Sequence, residues 1–270
     1  MRSIVPLAIL TAVTAIMLCS CAAPHQTFNH TAEQLHFIQS YLKTRLFNHI
    51  VFSNHKTYKN EVHIYFAGDG TPWIQGKIPA VDPTPRDSVA LTLMNHDKSA
   101  SVLIGRPCYH GFHQMPKCEP VHWTNGRYSP QIVESMHLAL AETLKSFPHN
   151  TSVVLIGYSG GATLASLLAQ WDQPQNKLNI SKIISIAGNQ DIDAWCDYHN
   201  VPRLAASMNP VKQPALPKHI AQIFIVGAND KVVLPEHSIA YAERQPNTRV
   251  IWVEGGDHVC CWQRTLEEVL

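Results

Sequence analysis

Val153-Val154-Leu155-Ile156-Gly157-Tyr158-Ser159-Gly160-Gly161-Ala162-Thr163-Leu164-Ala165-Ser166-Leu167-Leu168-Ala169-Gln170 is the stretch that decides the fold. Four apolar residues, Val153 to Ile156, run without alternation, the pattern of a strand buried on both faces of a parallel sheet. The run ends in a turn of small residues, and a helix-compatible stretch at 160–170 follows at once. A serine on a sharp strand-to-helix turn needs small neighbours, because the residues two before and two after it come close to other main chain. Gly157 and Gly161 meet that need. The stretch therefore predicts strand, nucleophile turn and helix, with Ser159 at the turn.

Similar apolar, β-branched runs lie on either side, at 62–66, 102–104, 183–186, 223–226 and 250–253. Between and after them come helix-compatible stretches at 86–94, 130–147, 235–243 and 262–270. Strand and helix alternate, which predicts an α/β fold: a doubly wound, mostly parallel sheet with helices on both faces. Ahead of it, Leu35, Ile38, Leu42 and Leu46 recur at helical spacing and predict an amphipathic helix over 31–46. Residues 49–53 then predict an edge strand antiparallel to the next. There is no internal repeat or composition break, so 31–270 is expected to be a single domain.

A serine hydroxyl is a weak nucleophile and needs a histidine base and a carboxylate to orient it, in the order Ser, Asp or Glu, His for a sheet of this kind. His258 lies in the loop after the last strand, in Glu254-Gly255-Gly256-Asp257-His258, and is the predicted base. Asp230 follows the 223–226 strand in Gly227-Ala228-Asn229-Asp230 and is the predicted acid. Asp191 and Asp193 are its rivals, and Asp257 is a weaker one, since adjacent side chains seldom point the same way. The developing oxyanion needs two backbone donors. Gly160 supplies one, and the loop Phe66-Ala67-Gly68-Asp69-Gly70 supplies the other, at the Asp69 amide first and Gly70 second. The Asp69 carboxylate, unwelcome beside an oxyanion, is expected to point into a structural hydrogen bond.

Lys and Arg number 21 against 20 Asp and Glu, so a net charge of +1 and the lack of a basic cluster exclude a general pull toward nucleic acid. The 16 histidines show no HxxxH or HxH spacing, and no CxxC exists, so no metal site is expected. Acyl transfer through serine needs no cofactor. At the N-terminus, Arg2 precedes an apolar run at 4–18, too short to span a bilayer and of signal-peptide length. Leu18-Cys19-Ser20-Cys21 then resembles a bacterial lipobox. Residues 1–20 are read as a signal peptide, Cys21 as the lipid attachment site, and 21–30 as a polar tether. Ala22 after the cysteine implies, by that resemblance, an outer-membrane protein facing the periplasm. The alternative is cleavage near Ala22 to give a secreted or periplasmic protein. In an oxidising envelope Cys108 and Cys118, ten apart in one loop, form the simplest disulfide, and Cys196 is expected to meet Cys260 or Cys261.

Taken together, Ile64-Tyr65-Phe66-Ala67-Gly68-Asp69-Gly70 with Trp73, Asp82-Pro83-Thr84-Pro85-Arg86-Asp87, Arg106-Pro107-Cys108, the Gly157–Gly161 turn, Ala187-Gly188-Asn189 and Asp257-His258-Val259-Cys260-Cys261-Trp262 resemble the α/β-hydrolase superfamily. More narrowly, they resemble a group of bacterial hydrolase-fold lipoproteins. The resemblance implies the same Ser159, Asp230 and His258, and it departs from the superfamily's usual His-Gly at Ala67-Gly68. The expected activity is hydrolysis of a carboxylic ester or thioester on a small acyl substrate. An acyltransferase, a peptidase and a non-catalytic envelope binding protein are the alternatives. No long insertion forms a lid; 188–220 is the longest candidate, with Trp195, Tyr198 and Met208 as acyl-pocket walls or plain core.

Overall fold

The computed structural model of the chain describes residues 22–86, 88–173 and 177–270. The predicted signal segment over 1–20, Cys21 and Asp87 lie outside them. In chain order the elements are α1 (Pro24–Gln34), β1 (Ile38–Lys43), β2 (Asn48–Ser53), β3 (Glu61–Phe66), a two-residue ribbon of β4 (Trp73–Ile74) and β5 (Ile78–Pro79), α2 (Val89–His96), β6 (Ser101–Ile104), α3 (Pro130–Leu144), β7 (Ser152–Tyr158), α4 (Gly160–Asp172), β8 (Ile180–Ile186), α5 (Ile192–Tyr198), β9 (Ala221–Gly227), α6 (Pro235–Ala242), β10 (Thr248–Val253) and α7 (Trp262–Val269). Among the described residues no helix is long and apolar enough to cross a membrane.

Eight strands form one sheet in the order β1-β2-β6-β3-β7-β8-β9-β10. Strands β6, β3, β7, β8, β9 and β10 run parallel, and β2 runs against both β1 and β6. From β3 the chain crosses to β6 on one side and then returns to β7 on the other. The carboxyl ends of β3 and β7, where Phe66 pairs with Gly157, are therefore a switch point at which successive loops diverge and leave a crevice.

The central strands are buried on both faces because each faces a helical layer. Val62, Ile64, Phe66, Val153 and Leu155 pack with Ile132, Met136 and Leu140 of α3 and Leu164 and Leu168 of α4. The alternate residues Tyr65, Val154 and Ile156 pack on the other side with Phe28 of α1, Leu91 and Met94 of α2, and Trp262 and Leu266 of α7. Period-two alternation thus divides one apolar run between two cores. Local chemistry sets the helix starts: the Ser88 hydroxyl accepts from the Leu91 amide at 3.1 Å, and Pro130 opens α3 behind Ser129.

The N-terminal expectations need correction. Residues 31–46 do not form one helix: α1 ends at Gln34, and β1 occupies the second half. The predicted tether over 21–30 is largely the first turns of α1, where Pro24 occupies the opening position and Phe28 and Ala32, four apart, are buried. Residues 49–53 do form a strand, but β2 is interior and β1 is the edge. Four consecutive buried residues in β2, His49 to Phe52, reflect neighbours on both sides. Cys108 and Cys118 are bridged, as expected, but Cys260 bonds its neighbour Cys261, and Cys196, on the buried face of α5, is a free thiol packed in the core.

Candidate active site

Ser159 sits between β7 and α4 with φ 53° and ψ −122°, a strained conformation for a residue with a side chain. Its neighbours show why the turn is glycine-rich. A Cβ on Gly157 would lie 2.4 Å from the Ala162 amide nitrogen, and one on Gly161 would lie 2.1 Å from the Phe66 carbonyl oxygen. The turn is clamped between α4 and the end of β3, which lifts Ser159 out of the sheet at the switch point. Gly160 has its own constraint, because a Cβ there would meet the Asp69 carboxylate at 2.0 Å and the Tyr128 hydroxyl at 2.3 Å.

Side chains far apart in sequence meet over Ser159. His258 Nε2 lies 3.0 Å from Ser159 Oγ, and His258 Nδ1 lies 2.8 Å from Asp230 Oδ2. The other Asp230 oxygen accepts from the Val232 and Val233 amides at 2.8 and 2.9 Å, so that carboxylate is buried and fully oriented. The rivals are engaged elsewhere. Asp191 caps α5 and accepts from Asn209, Asp193 pairs with Arg203 and Lys212, and Asp257 accepts from the Val259 and Cys260 amides.

The sequence reading missed what holds His258 in place. The Tyr158 hydroxyl donates to the His258 carbonyl at 2.8 Å, and Trp262 Nε1 donates to the same oxygen at 3.3 Å. Burial, reinforced by Asp230 and Asp257, pushes the Tyr158 phenol up, so it remains a donor. Position 158 is the variable site of the turn motif, so no pattern flagged it.

The loop after β3 forms the facing wall. A Cβ on Gly68 would sit 3.4 Å from Ser159 Cβ, and Gly70 adopts φ +66° against the Pro83 carbonyl. As expected, the Asp69 carboxylate turns into the protein: it accepts from Arg106 Nη2 at 2.7 Å, Arg127 Nη1 at 2.8 Å and the Tyr128 hydroxyl, while the Tyr109 hydroxyl holds the Asp69 carbonyl at 3.0 Å. Burial works against the charge on Asp69, but the two guanidiniums outweigh it and hold the carboxyl below its ordinary range. The Asp69 and Gly160 amides have no hydrogen-bond partner among the described residues.

A cavity of about 580 Å³ opens over Ser159, with apolar walls from Trp73, Val89, Tyr158, Trp195, Val232 and Val259 and with Arg86 at its rim. Of the three wall residues named from sequence, Trp195 takes part and is fixed by donating to the Val232 carbonyl at 2.8 Å. Tyr198 is 46% exposed away from the cavity, and Met208 packs against the core.

The overall fold matches solved structures of the α/β-hydrolase fold. The chain is similar to an arylesterase, with a TM-score of 0.60 and 15% identity over 89% of this chain and 86% of that one. It is likewise similar to a hyperthermophilic esterase from the archaeon Pyrobaculum calidifontis, at 0.61 and 11% over 91% and 89%. A third, an alpha-beta serine hydrolase homologue from Coxiella burnetii, matches at 0.52 and 14% over 86% and 93%. Among curated proteins no sequence matches. A family model described as Serine hydrolase (FSH1) matches residues 89–267, an interval that carries Ser159, Asp230 and His258. Since the match spans about two-thirds of the chain, this protein belongs to the FSH1 serine hydrolase family.

Proposed function

We propose that this serine hydrolase cleaves carboxylic esters or thioesters of small acyl groups through an acyl-enzyme on Ser159. The observation that carries the proposal is the unbroken chain from Asp230 through His258 to Ser159, with links of 2.8 and 3.0 Å, opening into an apolar cavity. Ser159 Oγ attacks the carbonyl carbon while His258 Nε2 takes its proton, and Asp230 holds the imidazole tautomer and stabilises the imidazolium. The carbonyl oxygen gathers the negative charge and is met by the amides of Gly160 and Asp69. His258 returns the proton to the departing alkoxide or thiolate. Water, deprotonated by the same nitrogen, then releases the acid and restores Ser159.

The ester class is supported by the cavity's apolar walls and by esterases among the structures that share the fold. The envelope location rests on the N-terminal sequence: Cys21, in Leu18-Cys19-Ser20-Cys21, carries lipid and anchors the enzyme to a membrane. A panel of p-nitrophenyl esters and thioesters of graded acyl length tests the chemistry. Turnover should favour one range of chain lengths and should vanish in Ser159→Ala; wild-type protein that is folded and inert across the panel would refute the reading. Cys21→Ala should release the protein from membranes and remove its lipid mass.

A further inference from the structure

Away from the cavity, three segments distant in sequence bring together two imidazoles and a carboxylate. His25 lies in the first turn of α1, Asp82 follows the β4–β5 ribbon, and His113 lies in the short turn between Cys108 and Cys118. His25 Nδ1 is 2.7 Å from Asp82 Oδ2, His113 Nδ1 is 3.7 Å from Asp82 Oδ1, and one ligand atom from each residue lies within 4.8 Å of the others. The decisive atom is His113 Nδ1. The His113 side chain is only 5% exposed, and this nitrogen is buried with no hydrogen-bond partner although it faces the carboxylate. A buried nitrogen left unpaired in this way carries a desolvation cost unless something supplies its missing partner.

We propose that His25, Asp82 and His113 form a zinc-binding site that clips α1 to the body of the enzyme. Two imidazole nitrogens and one carboxylate oxygen are a ligand set that suits zinc, with water in the fourth position. A tetrahedral ion with bonds of about 2.1 Å sets its ligand atoms about 3.4 Å apart. His25 Nδ1 lies 2.7 Å from Oδ2 and His113 Nδ1 lies 3.7 Å from Oδ1, either side of that value but on the two different carboxylate oxygens, so the ion is admitted by rotations of both His25 and the Asp82 carboxylate that bring one oxygen between the two nitrogens. His25 is partly exposed, and its ring passes from the Nδ1–H to the Nε2–H tautomer as Nδ1 turns its lone pair to the metal.

The supporting contacts needed around such ligands are in place. The Thr84 amide and hydroxyl orient Asp82 Oδ1 at 3.0 and 2.6 Å, and the His25 amide donates to Oδ2 at 3.0 Å. Next to Asp82, the Pro83 carbonyl accepts from the Thr71 amide at 3.0 Å, which ties the site to the loop that faces Ser159.

Calorimetric titration with ZnCl2 tests the proposal on the purified full chain, freed of metal by a chelator, beside His113→Phe and His25→Gln. The wild type should bind one zinc with a Kd of about micromolar or tighter and melt at a higher temperature when loaded. Each variant should bind about 100-fold more weakly. His113→Phe keeps an aromatic ring and removes two ring nitrogens that make no hydrogen bond among the described residues, so its chelated form should melt within about 2 °C of chelated wild type, separating lost ligation from lost fold. No saturable binding by the folded wild type, or undiminished binding by both variants, would overturn the site.

Discussion

Asp69→Asn is the sharpest test of how the wall facing Ser159 is held. The carboxylate stands between Arg106 and Arg127, each with a side chain only 4% exposed, so the substitution removes the shared counter-charge and leaves two buried guanidiniums facing each other. Arg106 has no slack, since its Nε and Nη1 already lack partners. The amide also turns an N–H toward one of the guanidiniums. Removing one partner of a buried ion pair costs about 3–5 kcal/mol, a large part of the roughly 5–15 kcal/mol that a domain has in total. For a chain of this size that corresponds to a melting temperature lower by about 6–20 °C at pH 7. The sign of the pH effect follows from the depressed carboxyl. Asp69 stabilises the fold at neutral pH, and that contribution is lost as pH falls below its ordinary value of 3.8, so the gap between wild type and variant should close in acid. Melting curves by circular dichroism from pH 7 to pH 3 read both effects. A variant that melts within about 2 °C of wild type at pH 7 would refute the role assigned to the carboxylate.

Other expectations are independent of that cluster. Buried His49, bonded to the Gly105 carbonyl and the Ser135 hydroxyl, has its pKa lowered to about 4, chiefly by burial. Its contribution is complete above pH 6.5 and lost toward pH 4; the stability difference between wild type and His49→Gln in urea titrations should shrink by about 3 kcal/mol over that window, and no change would contradict a neutral His49. Gly161→Ala drives a Cβ into the Phe66 carbonyl and should abolish folding or activity, whereas Gly255→Ala, with nothing within 4 Å and only a φ of +68°, should lose about 1 kcal/mol and stay active. Peptide mapping without reduction should recover Cys108–Cys118 and Cys260–Cys261 as linked pairs and Cys196 as a thiol alkylated only after unfolding; a Cys196 disulfide would contradict the buried thiol.

The central parallel strands were legible because they lie between two helical layers and have little polar face to dilute the pattern: the 153–156 and 223–226 runs fall within β7 and β9. The N-terminus misled for the opposite reason. As an edge strand β1 is largely solvent-facing, with Tyr41 63% exposed, so its few apolar residues fell by coincidence at helical spacing across 31–46. Pro24 followed by Phe28 and Ala32 was the signal that α1 begins earlier. Ser159, Asp230 and His258 could be read because each follows a recognisable strand. Tyr158, Arg106 and Arg127 act through contacts made only in three dimensions, and the grouping of His25, Asp82 and His113 has no sequence spacing at all.

The central claim is that His258 activates Ser159, and covalent labelling measures this most directly. Folded wild type treated with a fluorophosphonate should gain the mass of one adduct, mapped to Ser159 alone. Labelling should be lost in Ser159→Ala and slowed by about 10³-fold or more in His258→Ala, with the double variant little worse than either single one in ester turnover, because the residues act as a unit. An adduct on another serine, or a His258→Ala protein that labels as fast as wild type, would contradict the account.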